Sequence, residues 1–280
     1  MSLAISRRTA LQKAVAGALG VLPLRGAWQA PRPEEFDFPR IDFHAHVEGD
    51  FKLLVALELA RSRGVKLGLA AHGGCGQKMN NDAALRSYLE EMAGASVYKG
   101  MQAEGLDWMK CFSKEAVALL DFVLSDALTF PEKDGHLVQL WTPAATITDP
   151  QDFMERYVAF NVRVISHEPI DIFANPTFLP GAIAAEYDKL WTKERMRRVI
   201  DAAVKFDVAI EINSRYNVPS LAFLRMAKEA GVKFSFGSNA HDDKVGKLDY
   251  SLQMARELGL RRENMFMPAP REEKPVMRRV

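Results

Sequence analysis

The sequence predicts a single-domain α/β protein built on a parallel sheet, with chemistry gathered where the strands end. Three observations predict it. Strand-length apolar segments alternate with segments of helical period along most of the chain. The 280 residues, 48% of them apolar, suffice for one sizeable core, and a closed α/β barrel typically uses about 250. His44, His46, His72 and His241, four of the six histidines, fall at the carboxyl ends of expected strands.

Composition excludes some partners. With 37 basic and 36 acidic residues and no basic stripe, a nucleic-acid partner has no support. The two cysteines, Cys75 and Cys111, are too few for a disulfide framework, and nothing in the sequence pairs Cys75 with a base that would make it a nucleophile.

The chain opens with Ser6-Arg7-Arg8-Thr9 ahead of an apolar, Ala- and Gly-rich run at 14–24, which resembles a bacterial twin-arginine export signal. The run is too short to span a bilayer as an ordinary helix. Residues 1–30 are expected to be the signal, 31–39 a linker containing proline and acids, 40–268 the folded domain and 269–280 a loose, charged tail. The protein is then periplasmic or secreted and meets a membrane only through its signal. The alternative is a basic amino-terminal helix of a cytoplasmic protein.

Ile41-Asp42-Phe43-His44-Ala45-His46 reads as the first strand, at 40–46. Alternate strand residues share a face, so His44 and His46 project together, as two ligands of one metal ion do. The alternative is an unrelated, hydrogen-bonded pair. Apolar positions at helical spacing predict a helix over 51–63, stopped by Gly64, and a strand at 65–71 running into His72-Gly73-Gly74-Cys75-Gly76. That Gly-rich loop lacks a nucleotide fingerprint. A helix over 82–92 precedes a strand at 97–103, with Gln102 and Glu104 on one face. Ser113 caps a short helix. Strands follow at 121–125, ending at Asp126, and at 136–141. Asp149-Pro150 opens a helix, Asp as cap and Pro at the first helical position. Further candidate strands lie at 162–166 and 170–174, the second ending in Asn175-Pro176. Thr192 caps a helix running to about Lys205. The strand at 208–213 carries Glu211, a helix covers 219–230, and the strand at 232–236 feeds Gly237-Ser238-Asn239-Ala240-His241 before a last helix over 246–258.

Taken in order, His44-Ala45-His46, His72, Asn175-Pro176, Glu211-Ile212-Asn213 and Gly237-Ser238-Asn239-Ala240-His241 resemble the motifs of the PHP (polymerase and histidinol phosphatase) superfamily, over about residues 40–265. The resemblance implies a distorted TIM-like (β/α)7 barrel. It also implies up to three divalent ions, zinc, manganese or iron, and hydrolysis of phosphoesters. The chain departs from the pattern where Asn175 replaces histidine, Asn239 replaces aspartate, and Gln102 stands at the bridging glutamate with Glu104 two residues on. Asp126 lies near a position that often holds histidine. An early-loop histidine is missing unless Glu48 or Asp50 takes its place. An amide brings no charge to a metal, so one or two ions are expected rather than three.

The resulting expectation is that His44, His46, His72, Asp126 and His241 converge at the barrel's carboxyl-terminal mouth, with Asn175 and Asn239 beside them as further metal ligands. Metal-activated water would attack the substrate. Asp126 or Glu104 supplies a bridging or basic carboxylate, and Arg215 holds an anionic small-molecule substrate. Trp108, Phe130, Trp141, Phe173, Phe178 and Tyr216 are candidates for pocket walls, and His136 and His167 for missing ligands. Two other readings stay open: an amidohydrolase-type enzyme cleaving C–N or C–O bonds, and a non-catalytic binding protein on a degraded metal site.

Overall fold

Seven parallel strands close into a barrel, the architecture that the PHP resemblance implies. The computed structural model describes residues 36–280 except 50 and 144, so the twin-arginine segment, residues 31–35 of the linker and Asp50 lie outside the described residues. The strands are β1 (Ile41–Ala45), β2 (Lys66–Gly73), β3 (Val97–Ala103), β4 (Phe122–Ser125), β5 (Thr129–Pro131), β6 (Leu137–Gln139), β7 (Ile172–Phe173), β8 (Ala209–Asn213) and β9 (Phe234–Gly237). The ring order is β1-β2-β3-β4-β7-β8-β9, and Asp42 opposite Phe236 closes it. Around it lie α1 (Leu53–Ser62), α2 (Asp82–Glu91), α3 (Lys114–Val117), α4 (Pro150–His167), α5 (Tyr187–Leu190), α6 (Lys193–Phe206), α7 (Leu221–Glu229), α8 (Asp249–Leu258) and α9 (Pro275–Arg279).

The helix starts follow local chemistry. Side chains of Asn81, Ser113, Asp149, Thr192 and Ser220 each accept a backbone N–H of the first turn. Each cap contributes roughly 1 kcal/mol. Inside the barrel, Ile41, Phe43, Ala70, Phe122, Leu124, Ile172 and Ala209 pack together. Phe43 meets Phe122 edge-on with ring centroids 5.1 Å apart. This filling demands glycine on β3, because a Cβ at Gly100 would lie 2.2 Å from the Phe122 ring.

Several expectations need correction. Residues 162–166 are the last turns of α4 and not a strand. The β-branched Val162, Val164 and Ile165 look strand-like in isolation. The buried stripe of Phe153, Met154, Tyr157, Val158, Asn161, Val164 and Ile165, however, keeps helical spacing from the Asp149 cap onward. The strand at 136–141 shortens to β6, which pairs antiparallel with β5 outside the ring. The tail is not loose: Pro275 and Val276 of α9 are buried, and the Lys274 ammonium donates to the Leu120 carbonyl. Cys75 and Cys111, far from idle, form a disulfide with Cα atoms 5.5 Å apart, joining the loops after β2 and β3. A Cys75 nucleophile is thereby removed. Among the described residues no helix is long and apolar enough to cross a membrane.

Candidate metal centre

The barrel's carboxyl-terminal mouth collects His46 after β1, His72 on β2 and His241 after β9. Each offers a ring nitrogen within 4.8 Å of the others'. In a tetrahedral site with metal–nitrogen distances of about 2.1 Å the nitrogens stand about 3.4 Å apart, so shifts of up to about an ångström bring all three onto one metal. The rings already stack: His46 lies 4.2 Å from His241 and 4.5 Å from His72 by centroid.

The surroundings of these rings fit a metal. His72 Nδ1 lies 2.8 Å from Glu104 Oε1, and His241 Nδ1 lies 2.5 Å from Glu48 Oε1. A carboxylate on one ring nitrogen fixes the tautomer, leaves Nε2 free with its lone pair, and is the usual support of a metal-bound histidine. His46 is 2% exposed, yet neither ring nitrogen meets hydrogen-bond geometry with any group among the described residues. A buried polar atom left so costs about 1–3 kcal/mol, and a metal ion removes that cost. Burial, with the neighbouring His44, His72 and His241, pushes the His46 pKa well down, although the nearby Ala70 carbonyl works the other way. His46 is therefore neutral, the form that ligates. Burial also lowers His241, against the pull of Glu48. Replacing Glu48 or Glu104 by Gln is expected to weaken zinc binding about 10–100-fold, measurable by competition with a chromophoric chelator; an unchanged affinity would remove both carboxylates from the site.

His44 has different partners. The register of β1 slips between Asp42 and Ala45, so Phe43 and His44 both turn inward. The ring of His44 lies 5.1 Å from that of His46, but its Nδ1 is 2.7 Å from Glu211 Oε1 and its Nε2 is 2.9 Å from Gln102 Oε1. Gly237 makes room for this pair, since a Cβ there would lie 1.8 Å from Glu211 Oε1. Burial opposes a charge on His44, but Glu211, assisted by Asp126 and Asp42, outweighs it and raises the pKa. Burial likewise works against the Glu211 carboxylate, and His44 with the donors around it holds its pKa low. Asn175 and Asn239 join the same network, both with positive φ of 47°. Such backbone strain in non-glycine residues gathers at functional sites.

Beside the histidines lies a cavity of about 220 Å³, lined among others by Glu104, Asp126, Trp141, Asn175, Arg215 and Tyr216. Burial, then the Glu104 charge, raises the Asp126 pKa to about 6. Arg215 Nη1 donates to the Asn239 carbonyl, and its guanidinium stands 5.7 Å from the Tyr216 ring centroid. A second groove, about 490 Å³, reaches His46 and His72 from the side of α2. Of the candidate aromatic walls, Trp141 and Tyr216 line the cavity and Phe178 backs Tyr216, whereas Trp108, Phe130 and Phe173 belong to the core. His136 pairs with Asp134 on the exposed hairpin and His167 with Ser166 at the end of α4, so neither lines the cavity. Asn213 was not anticipated as a site residue. It donates to both Asn175 and Glu211, and its place two residues after Glu211 on a strand was the available signal.

No protein-family profile matches the sequence, and no curated protein does either. Similarity appears at the level of structure. The histidinol phosphate phosphatase of Lactococcus lactis subsp. lactis, solved with zinc, L-histidinol and phosphate, aligns with a TM-score of 0.61 at 13% identity, over 83% of this chain and 97% of that one. A Listeria monocytogenes protein assigned as a histidinol phosphatase aligns with a TM-score of 0.59 at 13% identity, over 76% and 99% of the two chains. At this identity the likeness is one of fold: a TIM-like barrel of the PHP type.

Proposed function

We propose that this chain is a divalent-metal-dependent hydrolase of small anionic phosphoesters, exported in its folded state. The observation that carries the reading is the trio His46, His72 and His241, with two of its rings oriented by carboxylates at the mouth of a PHP-type barrel. A divalent ion there supplies a Lewis acid and an activated water. Arg215 offers a guanidinium to the substrate's anionic group. Asp126, its pKa raised to about 6, lines the cavity as a mainly ionised carboxylate at neutral pH, suited to taking a proton from the attacking water. Trp141 and Tyr216 line the cavity. The Lactococcus protein binds zinc, phosphate and an amino alcohol, which supports a small phosphate ester as substrate and zinc as one candidate ion. Export is supported by Arg7-Arg8 ahead of the apolar run and by the Cys75–Cys111 disulfide, a bond at home in oxidising compartments.

The test is a screen of protein stripped of metal and reloaded with zinc, manganese or iron. Phosphomonoesterase activity is expected, and both chelation and His241→Ala should abolish it. Cleavage of amides or carboxylic esters alone would move the assignment to the amidohydrolase type. Metal binding with no hydrolysis in either screen would leave a binding protein. Export has its own test: lysine at both Arg7 and Arg8 is expected to trap the protein in the cytoplasm, and unchanged export would refute the twin-arginine reading.

A further inference from the structure

Beside the three histidines lie the positions that the PHP pattern gives to further ions, and their donors and acceptors are engaged with one another. Gln102 Nε2 donates to Glu104 Oε1 at 3.0 Å, which turns the Gln102 oxygen toward His44 Nε2. The other nitrogen of His44 faces Glu211 Oε1, an acceptor only. Both ring nitrogens of His44 thus point at acceptors, and neither presents a lone pair to a cation. Glu211 Oε2 accepts from the Asn175 backbone N–H at 2.7 Å and from Asn213 Nδ2 at 3.0 Å. Asn175 Oδ1 accepts from Asn213 Nδ2 at 2.9 Å and from Asn239 Nδ2 at 3.1 Å, while its own Nδ2 donates to Asp126 Oδ2 at 2.7 Å. Asn239 thus spends its NH₂, which cannot ligate, on the Asn175 amide oxygen.

We infer that this network takes the place of the inner metal ions, so that the chain holds one divalent ion, on His46, His72 and His241, and His44 is not a ligand. The contrast between adjacent histidines carries it. His46 is buried with neither nitrogen in full hydrogen-bond geometry among the described residues, although the Ala70 backbone is near, whereas His44 is buried with both nitrogens engaged. Three amides, Gln102, Asn175 and Asn239, stand where the resemblance expects charged or imidazole ligands, and a carboxamide does not offset the charge of a divalent ion. A fully paired buried network is also rigid, and each member lost leaves another unsatisfied. The inner positions thus offer three amides where charged or imidazole ligands are expected, and both nitrogens of His44 and both oxygens of Glu211 are already engaged.

The inference rests on the metal reading above but can fail separately. Metal-stripped full-length protein would be titrated with Co²⁺, following the visible ligand-field bands and, after desalting, the bound metal by mass spectrometry. One ion per chain is expected, with the bands lost in His72→Ala and in His241→Ala. Gln102→Ala leaves His44 free of its amide partner and should retain one ion. The combined Gln102→Glu, Asn175→His and Asn239→Asp variant should bind two or more. Two or three ions on the unaltered chain would overturn the inference and leave the hydrolase proposal standing. No bound ion would overturn both. Since variants near Glu211 can fail to fold, the stoichiometry of the unaltered chain decides the matter without them.

Discussion

Glu211→Ala is expected to lower folding stability by about 3–5 kcal/mol, the usual loss when one member of a buried ion pair is removed. Glu211 is 1% exposed and serves three donors from three segments: the His44 ring, the Asn175 backbone and the Asn213 amide. Alanine leaves His44 without the anion that offsets its burial, and leaves the Asn175 N–H unsatisfied at a position already strained by its positive φ. The measurement is urea unfolding, where the midpoint should fall at an unchanged slope. Glu211→Gln keeps one acceptor oxygen and the side-chain volume, so its loss should be smaller. An alanine variant within about 1 kcal/mol of the parent, the range of an exposed ion pair, would show that His44 and Glu211 do not form a structural unit.

Much of this site was legible before the fold was in hand, and the reasons are local. His-x-His on an apolar strand, a histidine at the end of the next strand and a histidine after the last one state their positions through the two-residue period and through strand ends. The division of labour between His44 and His46 was not legible. Both lie at the end of β1 and both turn inward, but their roles are set by residues 58 and 167 positions away, Gln102 and Glu211. The slip in β1 that turns Phe43 and His44 inward together is likewise a property of the closed ring. The end of α4 looks like a strand in sequence because three β-branched residues outweigh a helix that begins twelve residues earlier at Pro150. The tail looks loose in sequence because its charged residues flank only two buried apolar ones, Pro275 and Val276.

The disulfide was the least legible feature, and breaking it carries the other large expected effect. Cys75 and Cys111 are 36 residues apart, and a cross-link of that span is worth about 4 kcal/mol in the chain-entropy account, with measured values commonly about 2–4. Reduction, or the Cys75→Ala, Cys111→Ala double variant, should lower the urea midpoint accordingly. The slope should rise at the same time, because the unlinked denatured chain exposes more surface. The site should feel the change as well. Cys75 follows His72 by three residues, and the two joined loops touch again where the Glu104 N–H donates to the Gly73 carbonyl at 2.8 Å. His72 stands at the end of β2 and Glu104, the carboxylate that orients it, just after β3, where these loops begin. Loosening them raises the conformational entropy that metal binding must remove. Zinc affinity should therefore fall on reduction, but less than in Glu104→Gln, since the His72–Glu104 bond itself survives. If stability drops while affinity holds, the bond acts on the unfolded chain alone, and the backbone contact between Gly73 and Glu104 is enough to hold His72 in place.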